Sequence, residues 1–453
     1  LEPYGEAAMW GSCKTENLGA EKIIINTISN SNIRYVLLCG NESKGHLAGQ
    51  TLIALHKNGI DDDGRIIGSG GAIPFVENIG KDAIERFQKQ VTIIDRIGLT
   101  DIDEIYSIVD EYCSKDGSYC EGPFVVEVVT KRMTVPKDMV GGSMFCFQKE
   151  QNIVNIAGVK MGGQPGELPT VLAGTIFYEG HKIVENADIG IFDRFAAEDL
   201  VNVQDLMSDE TGNPSIVHIF ANTVESMQKY IDFVSSVTDS PFIIDSPQPE
   251  VRMASAEYVT DIGLADKTIY NSINMSITEA ECEALRLSDI DSAIVLGFNA
   301  MDSSLEGRMS LLEDGGKLLD KGLIEVAEDC GISNILIDPS ITPMGNGAGI
   351  ALRMTMAAKE KWGFPVGSGI HNAPSSWRWL KEKKKLDPLV YRMCDIGTVT
   401  MQQLVGGDFV LYGPIENALY TFPMAAMADI MIAEASSDLV SQTASRHPLN
   451  RLV

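Results

Sequence analysis

The chain has 453 residues, 44% of them hydrophobic and 22% charged, an ordinary globular composition with room for a barrel of about 250 residues beside a smaller domain. Its 36 basic and 63 acidic residues leave a formal net charge of −27, which argues against nucleic acid and anionic membranes as partners. No apolar run reaches membrane-span length; the nearest, 418–435, is interrupted by Thr421, Pro423 and Asp429.

Residues 13–116 read as a small α/β unit. The spacing predicts a helix over 17–30, a buried strand at RYVLLCG (34–40) and a helix over 44–59 closed by Asn-Gly. RIIGSGGAIP (65–74) reads as a strand entering a glycine-rich loop, and 81–96 and 101–114 as two further helices, the second begun by an Asp cap. After EGPFVVEVV (121–129), residues 130–143 lose periodicity around Pro136 and Gly141-Gly142 and read as a linker. The expected organisation is therefore a domain over 1–129, a linker over 130–143 and a second domain over 144–453.

In the second domain one phrase recurs: a short β-rich apolar run that stops on Asn or Asp. It reads IVHIFAN to Asn222, PFIID to Asp245, TIYN to Asn271, AIVLGFN to Asn299, NILID to Asp338, VGSGIHN to Asn372 and VLYGPIEN to Asn417. With VLAGTIFY (171–178) there are eight candidate strands, separated by gaps long enough for helices. Eight βα units predict a (β/α)8 TIM barrel with its active site at the C-terminal strand ends. A ring of amides and carboxylates there suits a flat polar heterocycle rather than a nucleophile-plus-base site. KEKKK (381–385) reads as a solvated face.

The eight cysteines are dispersed and form no CxxC pair, which points to reduced thiols in a cytoplasmic chain rather than to disulfides. The six histidines form no HxxxH or HExxH pair, so no zinc site is expected. One of them stands out. His46, in NESKGHLAGQ, follows a strand and Gly45, where a side chain projects from the ligand-binding edge of an open α/β sheet. The loop GSGGAIP, with Gly68, Gly70 and Gly71, lets backbone approach a bulky ligand. It is not GxGxxG, so a dinucleotide site is weakly supported. An imidazole there suits a metal held in a macrocycle; the bland reading is a satisfied histidine at a helix start. HxxG (His46–Gly49) resembles the DxHxxG of corrinoid-binding proteins, with Lys44 standing where their Asp would be.

CKTENLGAEK (13–22), NIRYVLLCGNESKGHLAGQTLIALHKNGID (32–61), GAIPFVENI (71–79) and ERFQKQ (85–90) closely resemble the corrinoid-carrying A subunit of tetrahydromethanopterin S-methyltransferase. FCFQKEQNIVNIAGVKMGGQPGELPTVLAGTIFYEGHKIV (145–184) closely resembles the H subunit of the same complex, which moves methyl from methyl-tetrahydromethanopterin to the corrinoid. The chain thus resembles a fusion of the two: a Rossmann-like α/β corrinoid-binding domain followed by a TIM-barrel methyltransferase.

The resemblance implies cobalamin or a related cobamide as cofactor, with His46 as lower axial cobalt ligand; Thr15, Glu16 and Asn17 are candidate contacts because their motif is shared with the carrier subunit, beside the turn at Gly45 and the loop with Gly68, Gly70 and Gly71. It implies a tetrahydropterin substrate, methanopterin or folate, held by Asp245, Asn271, Asp338 and Asn372, the positions that hold pterin in the wider pterin-binding group. Asn372 is the expected hydrogen-bond donor to the departing ring nitrogen. No family role passes to Asn222, Asn299 or Asn417. The carrier subunit ordinarily continues into a membrane helix; here a linker and a barrel follow, so sodium pumping is not implied. No cluster suits the zinc of a thiol-accepting methyltransferase. The final acceptor, an acceptor methyltransferase and a Co(II) reductase therefore lie with other proteins. Related barrels dimerise, so a homodimer is expected, and a linker of this length reaches roughly 20 Å on average. The alternatives are demethylation of another donor, such as a quaternary amine, and a carrier-only protein with a degenerate barrel.

Overall fold

The computed structural model describes residues 7–42, 45–76, 79–113, 115–126, 145–437, 439 and 443–453. The expected linker at 130–143 and Lys44 lie outside the described residues. The chain divides into two compact units, one amino-terminal and one carboxy-terminal.

The amino-terminal unit runs α1 (Leu18–Ile28), β1 (Tyr35–Gly40), α2 (Ala48–Asn58), α3 (Lys81–Gln90), β2 (Thr92–Ile97) and α4 (Ile102–Tyr112). Strands β1 and β2 pair in parallel from Tyr35↔Thr92 to Gly40↔Ile97. Ile24, Ile28, Leu52, Leu55, Ile66 and Phe87 form the core beneath them. Asn17 caps α1 by accepting from the Leu18 N–H, and Asp101 caps α4 by accepting from the Glu104 N–H at 2.9 Å.

Two expected elements differ. The helix predicted over 81–96 stops at Gln90, and the β-branched run Val91-Thr92-Ile93-Ile94 becomes the second strand, since stiff side chains suit a buried parallel ladder better than a helix. Residues 65–74 form no strand; isolated antiparallel bridges Ile60↔Ile66 and Arg65↔Phe75 hold a loop whose Gly68 lies at φ +81°.

The second unit opens with a hairpin, β3 (Ile153–Ile156) and β4 (Val159–Gly162). There follow β5 (Val171–Ile176), a small hairpin β6 (Val184–Asn186) and β7 (Ile191–Phe192), then β8 (Ser215–Phe220), β9 (Phe242–Asp245) and β10 (Thr268–Ile273). The last strands are β11 (Ser292–Leu296), β12 (Asn334–Asp338), β13 (Gly367–Ser368) and β14 (Phe409–Pro414). All eight predicted strands are present. They hydrogen-bond in the order β12-β11-β10-β9-β8-β5-β14-β13, every pairing parallel. The ring closes through the parallel bridge Ile337↔Val366, with the Ile337 N–H donating to Pro365 at 2.9 Å.

The first hairpin plugs the N-terminal end of this barrel. Its Val154, Ile156 and Met161 pack onto an interior layer that includes Ala173, Ile216, Ile243, Ile269, Ile294 and Leu336. At the same end Lys359 donates to both oxygens of Asp408, at 2.6 and 2.8 Å, and to the Gly163 carbonyl at 3.0 Å. Asp408 in turn accepts from the Val366 N–H, so the buried charges tie hairpin, strand and helix together.

One expectation is overturned. Cys282, on the helix Glu279–Leu287, and Cys330, capping the helix Leu323–Asp329, form a disulfide, because neighbouring outer helices bring their Cα atoms to 4.8 Å across 48 residues of sequence. Among the described residues no helix is long and apolar enough to cross a membrane.

Candidate active site and histidine cradle

Alternation along the strands builds the barrel mouth. Two residues beyond each interior apolar position the side chain returns to the interior, one step nearer the C-terminal end. Ala173 gives Thr175, Ile216 gives His218, Ile243 gives Asp245, Ile269 gives Asn271, Ile294 gives Leu296 and Leu336 gives Asp338. The register agrees: Thr175 pairs with His218, Asn271 with Asp245 and Leu296 with Asp338. A nearly continuous apolar layer is therefore topped by a polar one.

Within that layer His218 is engaged at both ring nitrogens, with Nδ1 2.8 Å from Thr175 Oγ1 and Nε2 2.9 Å from Asp245 Oδ2. Asp338 accepts from the Ser340 N–H at 2.7 Å. Behind it the buried Arg308 guanidinium donates to the carbonyls of Pro339 and Ser340, at 2.7 and 2.5 Å, and pins the loop that carries the carboxyl. Burial pushes Asp338 up to about 7, against the opposing influence of the Ser340 N–H, Arg308 and the Gly369 N–H, and with Asp245 adding to the rise. A carboxyl in that range exchanges a proton near neutrality.

Gly369 links Asp338 to Asn372, since its carbonyl accepts from the Asn372 N–H at 2.9 Å. The Asn372 side chain is exposed, on the short helix Asn372–Ser375 just past β13. Next to it His371 is pushed down to about 4, by burial and then by the neighbouring His218, so it is neutral at physiological pH. The four predicted residues are thus brought to one rim: Asp245 and Asn271 on adjacent strands, Asp338 close enough to feel Asp245, and Asn372 one turn from Gly369. Asn299 is turned to structural use, its amide donating to the Gly307 carbonyl at 2.9 Å, and Asn417 donates to Asp395 at 3.4 Å.

Sequence reasoning missed Thr175, His218, His371 and Arg308. An Asn or Asp that stops an apolar run marks the rim, whereas the run holding His218 continues through Ile219 and Phe220. The +2 step from Ile216 is the signal that finds it.

In the amino-terminal unit α2 begins just past His46. Nδ1 of His46 lies 2.7 Å from Glu16 Oε2, and the other oxygen of Glu16 accepts from the Ile73 N–H at 2.6 Å. Glu16 is 1% exposed, while the His46 side chain keeps 41% of its surface. The hydrogen bond to Glu16 raises the His46 pKa above its ordinary value, against the effect of burial. Gly71 closes the cradle: a Cβ there would stand 2.6 Å from the His46 carbonyl and 2.9 Å from Glu16 Cγ. Gln50 braces the loop by accepting from the Gly70 N–H and donating to the Gly68 carbonyl. The Gly45 carbonyl accepts from the Ala72 N–H, and Thr15 Oγ1 accepts from the Gly19 N–H at 3.0 Å. The carboxylate that meets His46 thus comes from Glu16, 30 residues earlier, on a different segment from the glycine turn that carries the histidine.

A parallel (β/α)8 barrel with carboxylates, amides and histidines at its mouth, preceded by a small α/β unit presenting a buttressed histidine, is a two-module architecture. Residues 149–443 match the family described as tetrahydromethanopterin S-methyltransferase MtrH subunit, and residues 3–134 match MtrA, the family of the A subunit of tetrahydromethanopterin S-methyltransferase. The chain belongs to the MtrH methyltransferase family, with an MtrA module fused ahead of the barrel. The H subunit of a putative methyltransferase, mtx, from Methanosarcina barkeri is 66% identical over 310 residues, covering 68% of this chain and 100% of its own. The H subunit of tetrahydromethanopterin S-methyltransferase from Methanothermobacter marburgensis is 54% identical over 310 residues with the same coverage. A dihydropteroate synthase from Xanthomonas albilineans overlaps 64% of this chain and 100% of its own at a TM-score of 0.40 and 16% identity, a likeness too slight to build on.

Proposed function

We propose that the protein transfers a methyl group between a methyl-tetrahydropterin, methyl-tetrahydromethanopterin above all, and a corrinoid carried on its own amino-terminal unit. The observation that carries this reading is the pairing of two modules, a histidine with one nitrogen committed to Glu16 and a barrel mouth whose polar layer ends in Asp245, Asn271 and Asp338.

The amino-terminal residues fit a corrinoid. With the Nδ1 proton of His46 given to Glu16, Nε2 carries the lone pair, and nearly half of the side chain faces outward. His46 would hold the cobalt through Nε2, and the backbone around Gly45, Gly68, Gly70 and Gly71, with Thr15 beside Glu16, would hold the rest of the cofactor. When bound, the corrinoid supplies the cobalt that takes the methyl group, which is why the barrel has no need of a protein nucleophile.

The barrel residues bind, orient and handle a proton. Asp245 and Asn271, register neighbours on β9 and β10, take the amino and ring N–H groups of the pterin. Asp338 exchanges a proton near neutral pH and holds the same ring from β12, which β11 separates from the strand of Asn271. Asn372, whose amide has no partner in the protein among the described residues, donates to the ring nitrogen that loses the methyl group; a donor there stabilises charge as it develops. In-line transfer tolerates little misplacement, which explains why Arg308 and Gly369 fix the Asp338 loop so closely.

The protein works in the cytoplasm as a homodimer through the barrel. Exposed Met393, Met401, Leu404, Tyr420, Met427 and Met431 on the helices Pro388–Leu404 and Ala418–Ala435 supply an apolar surface for that contact. A separate acceptor methyltransferase and a cobalt reductase complete the cycle. Calorimetric titration of the corrinoid-free protein with tetrahydromethanopterin tests the pterin assignment. Saturable binding that Asp245→Asn weakens at least about tenfold supports it, and heat flow indistinguishable from buffer overturns it.

A further inference from the structure

His218 is clamped by both ring nitrogens and is 7% exposed, yet none of the pterin contacts proposed above uses it. It stands on β8 between Thr175 on β5 and Asp245 on β9, inside the polar layer of the mouth. Asp245 itself keeps 27% of its side-chain surface, so one face of the carboxylate meets His218 and another is open.

We infer that His218 is a positioning residue for the pterin: its Nε2–H takes Oδ2 of Asp245 and leaves Oδ1 as the acceptor turned to substrate. The inference rests on the reading of Asp245 as a pterin contact. A carboxylate turns about its last torsion with little preference, so a free Asp245 would present either oxygen or both. A ring held at two points removes that freedom. Thr175 makes the hold independent of the histidine's charge. Its hydroxyl donates to Nδ1 when the ring is neutral and accepts from Nδ1–H when the ring is protonated.

The consequence is a division of labour at the heterocycle. An Asp with two free oxygens would take two parallel N–H groups; Asp245 with one takes a single N–H. The second donor of an adjacent N–H/NH2 pair then falls to Asn271, the register neighbour of Asp245. The site thereby selects a ring with two neighbouring donors, split between two strands.

The test is binding of tetrahydromethanopterin, without corrinoid, to the full chain carrying His218→Ala, His218→Gln, Thr175→Val or Asp245→Asn, together with KM and kcat of the corrinoid-loaded enzyme. Removing a partner that orients a ligand-binding group costs about 10–100-fold in affinity, so H218A should weaken Kd and raise KM by that range with kcat within about threefold of wild type. H218Q, whose amide still donates to Asp245, should recover most of the loss, and T175V should show a smaller version of it. If H218A binds within about threefold of wild type while D245N is weakened, the inference fails and the Asp245 reading stands. If H218Q is as poor as H218A, His218 acts by filling space and the inference again fails. If D245N binds like wild type, the Asp245 reading falls, and with it the inference.

Discussion

Glu16 and His46 meet 30 residues apart in sequence, carboxylate to Nδ1 at 2.7 Å, with the carboxylate buried and the imidazole open on its other side. Both oxygens of Glu16 are used, one on His46 and one on the Ile73 N–H, so the ring is oriented by a group that cannot swing away without breaking the glycine-loop contact. Metal-binding histidines are commonly held this way, because a partner on one nitrogen sets the tautomer and raises the basicity of the other.

The His46 pKa is raised by that hydrogen bond, with burial opposing. Stability from the pair is therefore complete below the ordinary histidine value and is lost as pH rises through the raised folded value. NMR titration of the corrinoid-free protein should give a His46 midpoint above about 6.5 that falls to or below it in Glu16→Gln. An unchanged midpoint would show that Glu16 does not govern the ring.

Asp338 is pushed up to about 7 by burial. The unfolded chain loses this proton near the ordinary carboxyl value while the folded chain keeps it, so stability falls as pH rises through that window and the loss is complete above about 7. Asp338→Asn preserves the acceptor for the Ser340 N–H and removes the charge. It should stabilise the fold at pH 8 by roughly 2–4 kcal/mol relative to wild type, with no difference near pH 3, while weakening pterin binding. Urea unfolding at the two pH values checks this; equal stabilities at pH 8 would contradict it.

Asn372 is the opposite case, a residue whose loss should be silent in the fold. Its side chain is exposed and anchors nothing among the described residues. Asn372→Ala should leave the melting temperature within about 2 °C of wild type and lower the methyl-transfer rate by about 100-fold, the ordinary range for removing one positioned donor. Thermal melts beside single-turnover kinetics check the two halves separately.

At the far end of the barrel, Lys359 and Asp408 form a buried pair with hydrogen bonds to the plugging hairpin and to Val366. Lys359→Met alone strands a buried carboxylate and should cost about 3–5 kcal/mol. Adding Asp408→Leu should return part of that cost in chemical denaturation, since the second change removes the unpaired charge.

Much of this architecture was legible in the residues. Asp245 and Asp338 close their strands where the apolar runs stop, and Asn271 lies two residues before the end of its own, because polar groups are tolerated inside a packed barrel mainly at its open end. What stayed hidden depends on distance in sequence or on context. Glu16 stands out in the sequence only through the shared motif; that its carboxylate meets the ring of His46 shows only once the fold brings the two together. Val91 to Ile94 read with the preceding helix because a short β-branched run has no periodicity of its own. The reach of Cys282 to Cys330 depends on how two outer helices pack, which spacing does not encode. His218 is not a strand end; it belongs to the inward-facing register that runs through Ile216, a signal carried by alternation rather than by residue type.

The central claim is that one chain carries both the corrinoid and the pterin site. The direct measurement is anaerobic spectroscopy of the protein reconstituted with cobalamin, reduced, and mixed with methyl-tetrahydromethanopterin. The predicted result is loss of the reduced-cobalamin band and appearance of the methylated cofactor spectrum. Asp338→Ala should abolish both changes, and His46→Ala should alter the methylated spectrum through loss of the axial ligand. A reduced band that persists with wild-type protein, saturating pterin and bound cobalamin would contradict the account.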